Sequence, residues 1–214
     1  MLSVVTCVAL AQPDHRLLER ARRGDERAFA ELVHAYRAPL LRYVHRMVGD
    51  SSLAEDLVQD VFLRVYRQLE SFGGRSTFTT WLFQIAKNRV LDELRAQARR
   101  PITTLELTNM TAAKEHPPEE DGEIDEIVGV IWEAVAALDV DLRMPLLLRD
   151  VGGLSYREIA ATLEIELSTV KWRIYSARET IQSSLAERQL HLNSERARRR
   201  QSSTTTLTPT PSTP

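Results

Sequence analysis

From Leu53 to Leu69 an aliphatic side chain returns at every fourth position, as Leu53, Leu57, Val61, Val65 and Leu69, and Val58 and Phe62 widen the stripe. A repeat of four puts these groups on one face of an α-helix and commits that face to a core. Ser52 with Glu55 reads as the capping box that begins the helix, which runs to about Ser71. The opposite face carries Asp56, Gln59, Asp60, Leu63, Arg64 and Arg67. Leu63 is an aliphatic residue among charges, a pattern that suits a protein-binding surface. A solvated face with one stray leucine satisfies the spacing equally well.

The same period continues on both sides. Leu17, Leu18 and Ala21 form a short apolar face that stops at Gly24, and Asp25 is placed to cap a new helix. Phe29, Leu32, Val33 and Tyr36, then Leu40, Leu41, Val44 and Met47, keep steps of three and four. Pro39 falls among them and is expected to kink or split that helix, which Gly49 ends. Downstream, Phe78, Leu82, Ile85 and Ala86 mark a buried stripe, with Trp81, Gln84, Asn88 and Arg95 on another face.

Between these helices the stretch Glu70 to Trp81 interleaves Phe72 and Phe78 with Ser71, Arg75, Ser76 and Thr79, of which Phe72, Arg75 and Thr79 are expected at the surface. Aromatics, short hydroxyls and a cation are what unstacked bases require, since bases need flat apolar surfaces and their edges need donors and acceptors. The phenylalanines also fit as hydrophobic staples at helix ends, and Trp81 fits as a ring packed under a neighbouring helix.

Charge divides the chain unevenly. The formal net charge is -2, yet residues 15–100 sum to +5 and residues 101–130 to -7. Such a field suits nucleic acid met on chosen faces only. Arg99 and Arg100 close the first unit, placed to hold a phosphate backbone. Residues 101–125 then turn to Thr, Pro and acids without a sustained apolar period, the composition of a flexible acidic linker. Residues 1–13 read as a disordered leader or a misplaced start, and residues 191–214, basic and then rich in Ser, Thr and Pro, as a disordered tail. The lone Cys7 excludes an internal disulfide framework and suits a reducing, cytoplasmic setting. The apolar start is far short of the roughly 20 residues that span a membrane, so no membrane insertion is expected.

The second half holds Ile127, Ile131, Val135 and Leu138 in one helix and Leu146 to Leu148 in another that closes at Asp150 before Gly152 and Gly153. Ser155 caps a third helix, Ile159, Ala160 and Leu163 facing inward. Ser168 caps a fourth with Val170, Ile174, Ala177 and Ile181 inward. Two short helices joined by a tight turn, with cations outward on the second, form a helix-turn-helix pattern. Its outer side offers Ser168, Thr169, Lys171, Trp172, Arg173, Tyr175 and Arg178 to phosphates and base edges in a major groove.

These segments together resemble a known family. Ala54-Glu55-Asp56-Leu57-Val58-Gln59-Asp60-Val61-Phe62-Leu63-Arg64-Val65, then Phe78-Thr79-Thr80-Trp81-Leu82-Phe83-Gln84-Ile85-Ala86-Lys87-Asn88, then Gly153-Leu154-Ser155-Tyr156-Arg157-Glu158-Ile159-Ala160, and Thr169-Val170-Lys171 with Arg173, Ala177 and Arg178, are similar to the extracytoplasmic-function group of bacterial sigma factors. The resemblance covers roughly residues 15 to 188. It implies an all-α chain of two small helical domains joined by the flexible linker, sigma region 2 over 14–100 and the region 4 helix-turn-helix over 126–190.

The resemblance further implies a non-enzymatic specificity subunit that binds core RNA polymerase and directs transcription initiation. By carry-over, Asp56, Gln59, Asp60, Leu63 and Arg64 bind the clamp helices of the largest polymerase subunit. Ser71, Phe72, Arg75, Ser76, Thr79, Trp81, Lys87 and Asn88 take the single-stranded -10 element of the promoter and its melting junction. Ser168 to Arg178 read the -35 element as duplex. An anti-sigma factor is implied as a further partner, and no cofactor or metal.

Several residues depart from the family pattern. Relatives usually place glycine or asparagine near Glu164, where the turn needs a positive φ. Trp172 stands where a small polar residue is usual and Ser176 where arginine is expected, which bears on the -35 preference. Pro145 suggests that its helix begins late. The rival reading is a stand-alone helix-turn-helix regulator on duplex DNA, which has no use for Leu63 and its neighbours. An enzyme finds little support, because the five histidines are scattered and no phosphate-cradling glycine loop follows a strand.

Overall fold

The structure, a computed structural model, describes residues 10, 12–99 and 122–203, with side chains at 10, 12–99 and 128–188. Most of the leader, the acidic segment 101–121 and the last eleven residues lie outside the described residues. All regular structure described is helical.

Helix α1 spans His15–Arg22 and follows Asp14, whose carboxylate accepts from the Arg16 amide. After the turn at Gly24 comes α2, Glu26–Val48. Asp25 caps it as the sequence suggests, accepting from the amides of Arg27 and Ala28 at 3.0 and 3.1 Å. The Ala28 amide, and then Arg20, hold the Asp25 carboxyl below the usual carboxylate range.

Pro39 does not split α2, which runs unbroken through it. One lost amide bond is tolerated because Tyr36, Leu40, Tyr43 and Val44 on either side are all buried, so packing carries the helix past the defect. Gly49 ends α2 in the left-handed conformation at φ 77°, its amide donating to the His45 carbonyl at 2.8 Å.

Helix α3 spans Ser51–Gln68, and its cap is Asp50 rather than Ser52 with Glu55. Because Gly49 reverses the chain in a single residue, Asp50 is already extended, and its carboxylate reaches the Leu53 amide at 2.8 Å. The predicted stripe is buried from Leu57 to Leu69, Leu53 is partly buried, and a short 3-10 turn at Leu69–Ser71 closes the helix. Helix α4, Phe78–Arg99, completes a bundle with α2 and α3, with α1 laid against α2.

The second half contains α5, Gly122–Ala136, α6, Val140–Asp150, α7, Tyr156–Leu163, and α8, Leu167–Ser203. Helix α5 starts a few residues before the expected boundary. Pro145 does not delay α6, which begins at Val140 and keeps the proline buried inside it. Helix α8 continues past His191, where a disordered tail was expected, because the run to Ser203 contains neither glycine nor proline.

The two halves are not separate bodies. Helix α7 lies on α4, and α5 and α6 lie on α2, so that the buried residues of both halves form one core. At the seam the Arg46 guanidinium sits 3.8 Å above the Trp132 ring, where burial lowers its pKa to about 10, still charged at neutral pH. Gly152 is pressed between Leu148 and Phe83, and a β-carbon there would stand 2.8 Å from the Leu148 carbonyl oxygen and 3.2 Å from the Phe83 ring. Gly152→Ala is therefore expected to cost about 1–3 kcal/mol as the seam is forced apart, read as a lower midpoint of urea unfolding.

Candidate nucleic-acid interface

The loop after α3 is built on an aromatic stack. Tyr36 meets Phe78 edge-on at 5.2 Å, Phe78 lies 6.0 Å from Trp81, and Trp81 lies 4.8 Å from Phe72. Phe72 is only 6% exposed, contrary to the expectation of a surface ring. The stack gives it an apolar seat, and nothing else in a loop of glycines and serines does. Thr79 is also buried, at 3% exposure. Its hydroxyl accepts from Gln12 Nε2 at 2.9 Å and lies 3.3 Å from the Tyr36 hydroxyl. Both residues support the surface rather than form it.

The surface itself consists of exposed Ser71 and Arg75, the partly open Ser76, and the free side of Trp81. Gly74 provides the positive φ, 66°, that turns Arg75 outward at the tip. Two turns further along α4, Asn88 is exposed. Lys87 is not, at 8% exposure, because Glu164 of the turn between α7 and α8 lies 3.4 Å from its Nζ. The structure thus gathers the loop members of the predicted -10 set with Trp81 and Asn88, and shields Lys87. Gln84, which donates to the same Glu164 at 3.1 Å, was legible as a neighbour of Trp81 on the α4 face.

Asp56, Gln59, Asp60, Leu63 and Arg64 are all exposed along α3. Leu63 is 47% exposed and borders a groove of about 390 Å³ between α2 and α3, floored by Phe29, Val33, Phe62 and Tyr66. Tyr66 is braced edge-on by Phe29 at 4.9 Å. Asp60 is partly engaged, accepting from Arg89 Nε at 3.1 Å. The α2 contribution to this groove was not predicted; its signal was that Phe29 and Val33 fall off the Leu32, Tyr36, Leu40 stripe.

In the second half Ser155 caps α7 as expected, and Glu158 completes a capping box with it. Ser168 does not cap α8. The Val170 amide donates to the Glu166 carbonyl at 3.1 Å, so the helix starts two residues before the expected cap and Ser168 lies in its first turn. Val170, Ile174, Ala177 and Ile181 are buried as expected.

Outward, Ser168, Lys171, Trp172 and Tyr175 are exposed, Trp172 at 62%, with Thr169, Arg173 and Arg178 half-buried beside them. Two of the cations are oriented by acids of α6: Arg173 by Asp141 at 3.3 Å and Arg178 by Asp150 at 2.9 Å. Burial raises the Asp150 carboxyl, an effect that Arg178 opposes. Tyr175 donates its hydroxyl to Glu179 at 2.6 Å, which raises its pKa. A row of cations and aromatics on a protruding helix fits a major groove. No group of three or more metal-ligating side chains occurs among the described residues.

Comparison with known proteins finds the same two regions in the same order. A profile described as Sigma-70 region 2 matches residues 32–100, and one described as Sigma-70, region 4 matches residues 129–181. The chain is 38% identical over 182 residues to the RNA polymerase sigma-H factor of Pseudomonas aeruginosa, covering 81% of this chain and 94% of that one. It is 38% identical over 180 residues to the ECF RNA polymerase sigma-E factor of Escherichia coli K12, covering 80% and 94%. The structure of CnrH in complex with the cytosolic domain of CnrY matches with a TM-score of 0.61 at 26% identity, over 81% of this chain and 97% of that one.

The division between support and surface in the loop is testable by equilibrium unfolding in urea. Phe72→Ala is expected to destabilise the protein by about 3 kcal/mol, because it empties the stack beside Trp81. Arg75→Ala is expected to stay within about 0.5 kcal/mol of the parent.

Proposed function

Since the chain belongs to the extracytoplasmic-function group of sigma-70 factors, the RNA polymerase subunits that direct transcription initiation, we propose how its surfaces divide that work. The observation that carries the assignment is the exposed Leu63 beside the α2–α3 groove. It is an apolar contact on an α3 face that also carries Asp56, Gln59, Asp60 and Arg64. Such a face suits the core polymerase: Leu63, with Phe62 and Tyr66 behind it, supplies the desolvated anchor and the charges set orientation.

On this reading residues 14–100 are the polymerase-binding and -10 unit. Arg75 and Asn88 hold the non-template strand, Ser71 and Ser76 offer short hydrogen-bonding groups to a base edge, and Trp81 provides the flat surface for a base leaving the stack. Phe72 and Thr79 act behind them, fixing the Trp81 ring and the first turn of α4. Flipping a base costs a few kcal/mol, and stacking on an aromatic returns roughly 1–3 kcal/mol per base, so binding geometry alone can favour an open strand.

Residues 126–190 are the -35 unit. Lys171 and Arg178 serve as phosphate contacts, and Arg173, Trp172, Tyr175, Ser168 and Thr169 approach base edges. Trp172 favours apolar contact with a thymine methyl over a hydrogen-bonded readout. The polymerase partner places the protein in the cytoplasm, and no helix among the described residues is long and apolar enough to cross a membrane. The sigma factor RpoE of Bartonella quintana, of similar fold, was solved in complex with the anti-sigma factor NepR, and an anti-sigma protein is the further partner this reading adds.

Run-off transcription from a genomic fragment library, with purified core polymerase and this chain, should yield transcripts that the core alone does not make. Leu63→Asp is expected to abolish co-elution with the core enzyme while leaving the unfolding midpoint unchanged. Lys171→Ala is expected to weaken duplex binding evenly across sequences and to reduce the slope of log affinity against log salt by about 0.9.

A further inference from the structure

Glu164 is the one non-glycine among the described residues at positive φ, 58°. It ends α7 in a conformation that L side chains rarely adopt and that glycine or asparagine would take at less cost. A strained residue persists where its surroundings hold it, and here the side chain has an occupation. Its carboxylate reaches across to α4, accepting from Gln84 Nε2 at 3.1 Å and facing Lys87 Nζ at 3.4 Å, contacts that hold its pKa below the usual glutamate value. At the opposite end of α7, Glu158 Oε1 accepts from the Thr77 hydroxyl at 3.1 Å while its other oxygen completes the cap of the helix.

Two carboxylates of the helix-turn-helix unit therefore occupy an amide, an ammonium and a hydroxyl on the other unit. Those are the groups a phosphate or a base edge would take. The seam is also imperfect. Tyr43 is fully buried with no hydrogen-bond partner for its hydroxyl among the described residues, and Arg143 Nε is likewise unpaired. Unmet polar groups weaken a buried contact, so this seam opens at lower cost than a fully satisfied one.

We propose that Glu164 is an intramolecular latch that holds the helix-turn-helix unit across α4 in a closed state and withholds Gln84 and Lys87 from the promoter strand. The masking half of this rests on the assignment of α4 to the -10 strand. The latch itself does not. Glutamate stands where glycine would fold more easily because the turn has been given a second task, to compete with DNA for the same side chains.

The test uses the full chain with Cys7→Ser and spin labels on cysteines introduced at the exposed positions Asp92 and Gln182, together with binding of a fluorescent random-sequence single-stranded DNA pool. The parent should give a single short inter-label distance. Glu164→Gly should add a longer population and bind the pool about fivefold tighter or more, the size of a modest coupling between sites. Glu164→Gln, which keeps the backbone demand and loses the charge, should fall between them. A parent-like distance distribution in Glu164→Gly and Glu164→Gln overturns the latch, as does opening without a gain in DNA affinity. If the gain survives Trp81→Ala undiminished, the DNA lies elsewhere than on α4, and the -10 assignment and the masking fall together while the distances still report the latch.

Discussion

Phe83 is where the molecule is tied together. Its ring is fully buried, edge-on to Tyr43 at 5.4 Å on one side and against the α-carbon of Gly152 on the other. Tyr43 belongs to α2, Phe83 to α4 and Gly152 to the turn after α6, so one contact binds two helices of the first unit to the second. The ring approaches that closely because position 152 has no side chain. The seating of α7 on α4, and with it the reach of Glu164 to Lys87, follows from this distance.

Helix α4 consequently serves three neighbours. Leu82, Ala86 and Val90 belong to the bundle core, Phe83 with Gln84 and Lys87 to the seam, and Trp81 with Asn88 to the open side. Each of these faces is narrow, so polar contacts from Gln84 and Lys87 border the apolar seam on the same helix. A sigma factor must spread its two units along a promoter, and a seam with a buried, unpartnered Tyr43 hydroxyl separates at lower cost than a fully satisfied core. The cations of α8 are set differently. Asp141 and Asp150 hold Arg173 and Arg178 from within their own unit, without a contact across the seam.

Much of this was legible in the order of residues. The stripe from Leu53 to Leu69, the Asp25 cap, the Ser155 box and the buried face of α8 rest on periodicity and on local hydrogen bonds, which act within a few residues and read directly from spacing. The errors were also local, and each had a tertiary cause. Ser52 lost the cap of α3 to Asp50 because Gly49 reversed the chain one residue sooner. Pro39 and Pro145 stayed inside helices because packing outweighed one missing amide bond. Phe72 and Thr79 went inward because the aromatic stack, and the approach of Gln12, gave them partners that loop composition does not show.

By itself the chain determined its class and its family, since helical period and motif order are properties of neighbours in sequence. It also announced an anomaly at Glu164. Only the tertiary structure decided what that glutamate touches. Lys87 and Glu164 are separated by 77 residues, and no local rule brings a carboxylate of one unit to an ammonium of the other. Their meeting depends on how closely two buried surfaces pack, and that distance was settled by a glycine lying against a phenylalanine ring.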